Sequence, residues 1–110
     1  MRTLMLLAAA AALAAGTQAL HAADIENAKA KVEQVCKTCH GADGNTPLTP
    51  DTPRLAGQHY DYLVKAMKDY RGGKRQNPMM GPMAASLTDK DIKDLAAYFA
   101  AQPGGVQDKY

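Results

Sequence analysis

Cysteines at 36 and 39 and a histidine at 40 form one C-x-x-C-H stretch, Cys36-Lys37-Thr38-Cys39-His40. That order suits covalent attachment of a c-type haem. Two intervening residues let one helical turn present both thiols to the two vinyl groups on one edge of the ring. Each thiol adds across one vinyl to give a thioether. His40, one position on, can then reach the iron as the proximal ligand. Other chemistries fit these residues less well. A thioredoxin-like redox pair needs a βαβ setting, and no strand pattern lies near it. A zinc centre needs four ligands, and neither His21 nor His59 stands at a finger-like or ribbon-like distance. A disulfide between Cys36 and Cys39 would close a loop too small to staple a fold.

A second group of possible iron ligands lies downstream. Met79, Met80 and Met83 stand in the stretch Lys74–Ser86. Methionine usually serves as adaptable apolar filling. A thioether on iron is the sharper reading, because a soft neutral donor favours ferrous over ferric iron and raises the potential. His59 reads as an exposed residue near a helix start, with a second axial ligand as its functional alternative.

The elements that must position these groups are helices. Asp24 can cap a first helix running to about Val35, with Ile25, Ala28, Val32 and Val35 on one face. This helix delivers the chain into the C-x-x-C-H stretch. Gly41–Gly57, rich in glycine and proline, reads as a long loop that needs a surface to lie on. A second helix spans about Gln58 to Arg71, with Leu63, Ala66, Met67 and Tyr70 as its apolar stripe, and Gly72-Gly73 ends it. Pro78 and Pro82 argue against a regular helix through Lys74–Ser86. A third helix runs from about Asp89 to Gln102. Thr88 and Asp91 resemble a capping box, and Ile92, Leu95, Ala96 and Phe99 form the stripe. Val106–Tyr110 reads as a loose tail.

The start of the chain is of another kind. Residues 1–22 read as a secretory signal peptide, with Arg2 as the basic region and Leu4–Ala15 as an apolar run too short to span a bilayer comfortably. Cleavage after Ala22 or Ala23 leaves one domain, 23–110. A periplasmic destination with no stable membrane insertion follows. Without Arg2, the 13 basic residues become twelve against eleven acidic ones, which gives no footprint for nucleic acid. With no Trp and one Phe, so short a chain has few large apolar side chains to make a core. A flat apolar macrocycle would supply the missing bulk.

The chain resembles the class I c-type cytochromes, of the small bacterial cytochrome c-553 and cytochrome c-4 kind. The resemblance covers roughly Asp24 to Gln102. It rests on Cys36-Lys37-Thr38-Cys39-His40-Gly41, on Pro53-Arg54-Leu55-Ala56-Gly57-Gln58, and on Met80 with Leu87-Thr88-Asp89 and Leu95-Ala96-Ala97-Tyr98. It implies an all-α fold, three main helices and loops wrapped around one covalently attached haem c. It further implies that Cys36 and Cys39 are the thioether cysteines and His40 the proximal ligand. Pro53 would accept a hydrogen bond from the other ring nitrogen of that histidine, and Met80 would be the distal ligand, with Met83 as runner-up. Relatives often carry glycine and an aromatic residue where the first helix crosses the last, whereas Ala28 and Val32 stand here. A single C-x-x-C-H means one haem. The implied function is single-electron transfer between transient redox partners, with Lys37, Lys74 and Arg75 as possible steering charges. The alternatives are an electron-transfer subunit of a larger oxidoreductase, and a haem enzyme or gas sensor with an open iron.

Overall fold

The computed structural model describes residues 22–104, so the signal-peptide reading of 1–22 lies almost entirely outside the described residues, as does the tail. All regular elements among the described residues are helical: α1 (Ile25–Lys31), a π-helical turn (Val32–Cys36), α2 (Lys37–His40), α3 (Tyr60–Gly72), α4 (Met80–Ala85) and α5 (Asp89–Ala100). Helix α1, the π turn and α2 follow without a break and replace the single first helix expected to end near Val35. The π turn closes where the Lys37 N–H reaches the Val32 carbonyl. Such wide turns are often found at functional sites, and this one ends on Cys36.

Asp24 caps α1 as its sequence position suggests, taking the Asn27 N–H at 3.0 Å. The expected stripe is buried at Ala28 and Val32, but Ile25 at the exposed end keeps 39 % of its surface. Helix α5 fits its pattern throughout. Thr88 and Asp91 form a reciprocal capping box, and Ile92, Leu95, Ala96 and Phe99 are all buried. Ala28, Val32, Leu63, Leu95, Ala96 and Phe99 make one buried cluster. Small Ala28 and β-branched Val32 therefore fill the crossing of the first helical run with α5.

Helix α4 corrects the expectation that Pro78 and Pro82 keep this stretch irregular. Pro82 is the third residue of α4, in the first turn, where a missing N–H breaks no intrahelical bond. Pro78 lies in the turn that leads into α4, and Asn77 before it ties that turn together: Asn77 Oδ1 accepts the Met79 and Met80 N–H groups, and its carbonyl accepts that of Gly81.

A polar clasp joins α1 to α5. Asn27 Nδ2 donates to Asp91 at 3.0 Å and to Asp94 at 2.9 Å; Asp94 also takes the Asp24 N–H at 2.9 Å and Lys90 Nζ at 2.6 Å. Both carboxylates belong to buried residues. Burial opposes ionisation of Asp94, yet bonds from Lys90, the Asp24 N–H and Asn27 outweigh it, and its carboxyl lies below the usual range. Asp91 is lowered chiefly by Asn27, and Asp24 by the Asn27 N–H. The folded state thus binds these protons more weakly than the unfolded chain. Their contribution is complete above the unfolded carboxylate range, near pH 4, and drains as pH falls through and below it. Asn27→Ala should lower stability at pH 7 by about 1–3 kcal/mol, since two buried acceptors lose a shared donor. In thermal melts, the gap to the unaltered protein should narrow as pH falls below the usual carboxylate range and the lowered carboxyls take up protons.

Candidate haem site

The π turn and α2 carry Cys36, Cys39 and His40 in one helical run. Both cysteines are half-buried and not joined by a disulfide, and Cys36 packs against the core cluster. Burial pushes the Cys36 thiol up to about 11, so it stays protonated at neutral pH and is a weak partner for disulfide formation. Helix α2 ends at Gly41, with φ +84°. A Cβ there would lie 2.1 Å from Thr46 Oγ1, so only glycine lets the chain turn away directly after His40.

His40 is the most buried of the site residues, with 5 % of its surface exposed. Its Nδ1 lies 2.9 Å from the Pro53 carbonyl oxygen. A carbonyl can only accept, so Nδ1 carries the proton and Nε2 keeps a bare lone pair. That bond also fixes the ring orientation, as second-shell contacts to metal-bound histidines do. The loop bearing Pro53 is itself tied down. Leu48 N–H donates to the Cys39 carbonyl at 2.8 Å, the Gly44 carbonyl accepts Leu55 N–H at 2.8 Å, and Gly57 N–H donates to the Phe99 carbonyl at 3.0 Å. Gly44 faces the Phe99 ring so closely that a Cβ would come within 2.8 Å of it. Tyr98 adds a hydroxyl bond to the Ala42 carbonyl at 2.7 Å.

The structure thus brings Cys36, Cys39, His40 and Pro53 together. Met80 comes from a separate element, as the half-buried first residue of α4, which packs on α3. Met79 and Met83 flank it and keep 61 % and 41 % of their surface. His59 is the exposed N-cap of α3, in line with its reading as a surface residue. His21 lies outside the described residues. Sequence reasoning missed Asn77 and Arg71. Asn77 was signalled by the Asn-Pro pair; Arg71, whose guanidinium bonds the Leu87 carbonyl and Asp89, carried no local signal.

These donors fit a haem and not a polar metal ion. They comprise two thiols on one turn, an imidazole with a free Nε2, and a thioether on another element. Among the described residues no group of three or more His, Cys, Asp or Glu could hold a metal.

The sequence matches the family described as cytochrome c over residues 25–102. The chain belongs to the cytochrome c family. It is 49 % identical to cytochrome c4 of Thiocapsa roseopersicina over 80 residues, which are 73 % of this chain and 41 % of that protein. It is 46 % identical over 70 residues to cytochrome c-554(548) of Halomonas halodenitrificans, covering 61 % of this chain and 83 % of that one. The crystal structure of reduced cytochrome c4 from Pseudomonas stutzeri superimposes with a TM-score of 0.68 at 39 % identity, covering 77 % of this chain and 48 % of that one. The chain spans about half the length of the cytochrome c4 proteins it matches. The cytochrome c fold that the resemblance implies is the fold observed, and haem c, bound through Cys36 and Cys39, is its cofactor.

Proposed function

We propose that this cytochrome c domain is a carrier of single electrons, with His40 and Met80 as the axial iron ligands. The observation that carries the reading is the buried His40 ring, oriented by the Pro53 carbonyl so that Nε2 is bare, one residue beyond two cysteines not joined by a disulfide. Bound there, haem c supplies a one-electron couple between ferrous and ferric iron. The chain's own residues do the rest. Cys36 and Cys39 would hold the group covalently, Pro53 would keep the tautomer of His40, and His40 and Met80 would be its protein ligands, leaving no place for water or gases. Held by both ligands in either oxidation state, the group would need little rearrangement on electron exchange and would leave no room for a substrate.

Visible spectra of the mature protein, oxidised, reduced and reduced under carbon monoxide, test this reading. Low-spin spectra indifferent to carbon monoxide are expected. Rapid carbon monoxide binding would sink the carrier and point to an enzyme or sensor.

Residues 1–22 form, in this proposal, an export signal, and the protein works in the periplasm. Among the described residues no helix is long and apolar enough to cross a membrane. The partners are redox proteins that dock transiently. A fixed subunit role would appear instead as stoichiometric co-purification with a catalytic chain.

Of the three candidate steering charges, Lys37 is paired with Glu33 at 2.5 Å, and Arg75 sits over the Tyr70 ring. Exposed Lys74 is therefore the stronger attractor for an acidic partner. Neutralising Lys37 and Lys74 together should slow reduction at low salt by a few-fold and matter less at high salt. Lys74→Gln alone should account for most of the loss. Stopped-flow rates across a salt series check this; equal rates at every salt would move docking elsewhere.

A further inference from the structure

We propose that Asn77 and Arg71 are positioning residues that hold the Met80 segment at its two ends, while neither ligates iron. This rests on the reading of Met80 as a ligand.

At the leading end, Asn77 collects three successive amides. Its Oδ1 accepts Met79 N–H at 2.9 Å and Met80 N–H at 3.0 Å, and its carbonyl accepts Gly81 N–H at 2.9 Å. Pro78 between them has no N–H. Every amide of the turn that presents Met80 therefore ends on one residue. At the trailing end, α4 stops at Ala85 and the chain turns through Leu87 into α5. Arg71, from the last turn of α3, places Nη1 3.1 Å from the Leu87 carbonyl and Nη2 2.6 Å from Asp89 Oδ1. Its neighbour Arg75 is occupied differently, with its N–H on the Asp69 carbonyl and its guanidinium 4.8 Å from the Tyr70 ring centre and 3.3 Å from the Tyr62 hydroxyl.

Between the two clamps there is little to hold α4. It has six residues, far fewer than a helix needs to persist alone. Only Ala84 is buried, and Met79 and Met83 stay largely exposed. Apolar burial is too small to fix Met80, so the polar ends do it.

An external ligand can bind iron only when Met80 is off. Its apparent affinity then scales with the population in which the segment has moved away. Losing the side-chain oxygen that accepts two amides at a helix start is comparable to losing a capping side chain, about 1 kcal/mol or roughly a fivefold change in population. Imidazole titration of the ferric holoprotein reads this directly. Asn77→Ala should bind imidazole about fivefold more tightly. Asn77→Asp, which keeps the accepting oxygen, should return the affinity to within about twofold of the unaltered protein. Arg71→Ala should also tighten binding, and Arg71→Lys should recover part of the loss, since an ammonium cannot fork across both acceptors. The Arg71 arm carries the test if Asn77→Ala does not fold.

The same titration in a Met80→Ala background separates the outcomes. There the probe meets no thioether, and adding Asn77→Ala should change nothing. If Met80→Ala itself binds no more imidazole than the unaltered protein, Met80 is not the ligand and the underlying reading fails. If Met80→Ala opens the site but neither Asn77→Ala nor Arg71→Ala does, the clamp is overturned while the ligation stands. Equal effects of Asn77→Ala with and without Met80 would also overturn it, because the residue would then act on the fold and not through the ligand.

Discussion

Cells making the chain with Cys36→Ala and Cys39→Ala together should yield protein from which all haem is extracted by acidified organic solvent. The unaltered protein should keep its colour through the same treatment. The two half-buried cysteines are the only covalent anchors the described residues offer, so removing both would leave the proposed ligands, His40 and Met80, to hold the ring by coordination alone. Acid protonates the histidine and breaks that link. A single substitution should leave one thioether and the colour in place. The double change should also be the most damaging to stability. Among the described residues the large buried apolar side chains amount to Val32, Leu63, Ile92, Leu95 and Phe99. A core that thin depends on the flat apolar group packed against it. Melting should fall and broaden when the haem is lost. Colour that stays with the doubly substituted chain would mean that the ring is attached elsewhere.

Much of this architecture is legible in local sequence. Asp24 and the Thr88–Asp91 box announce two helix starts because a cap is a contact between residues three apart. The α5 stripe is buried at every expected position because that helix packs along its whole length. The C-x-x-C-H stretch is equally local. What escaped sequence reasoning depends on distance or on register. Asn27 and Asp94 are 67 positions apart, and Arg71 and Leu87 are 16 apart, so no periodicity can pair them. Asp91 reads from sequence as a cap and dipole partner; its burial against Asn27 comes from the helix crossing. The π turn shifts the register just where a 3.6-residue pattern would continue, leaving Val35 half-buried. Helix α4 was hidden because proline reads as a breaker, although Pro78 is at home in the turn before the helix and Pro82 in its first turn. The bond from His40 to Pro53 followed from family resemblance; nothing in the residue types alone singles out Pro53 among six prolines.

The iron site should open when Met80 is truncated. Met80→Ala removes a thioether from the first turn of α4, while the Asn77 bonds and the Arg71 bonds to Leu87 and Asp89 remain, so the backbone of the segment has no reason to unfold. The two neighbouring sulfurs are less well placed to replace it. Met79 and Met83 are exposed, whereas Met80 is half-buried. Water or an added ligand should then take the sixth position. Carbon monoxide should bind the ferrous protein within mixing time, where the unaltered protein ignores it. The far-red sulfur-to-iron absorption of the ferric form should vanish. The potential should fall by about a hundred millivolts or more, within the range of roughly 0.8 V that axial ligands span, because a neutral soft donor that favoured ferrous iron is gone. Met83→Ala, one turn further along the same helix, should leave spectrum and potential as they were. If Met83→Ala opens the site and Met80→Ala does not, the distal ligand is Met83. The clamp at Asn77 would then hold the wrong sulfur, and the positioning role assigned to it would fail with it.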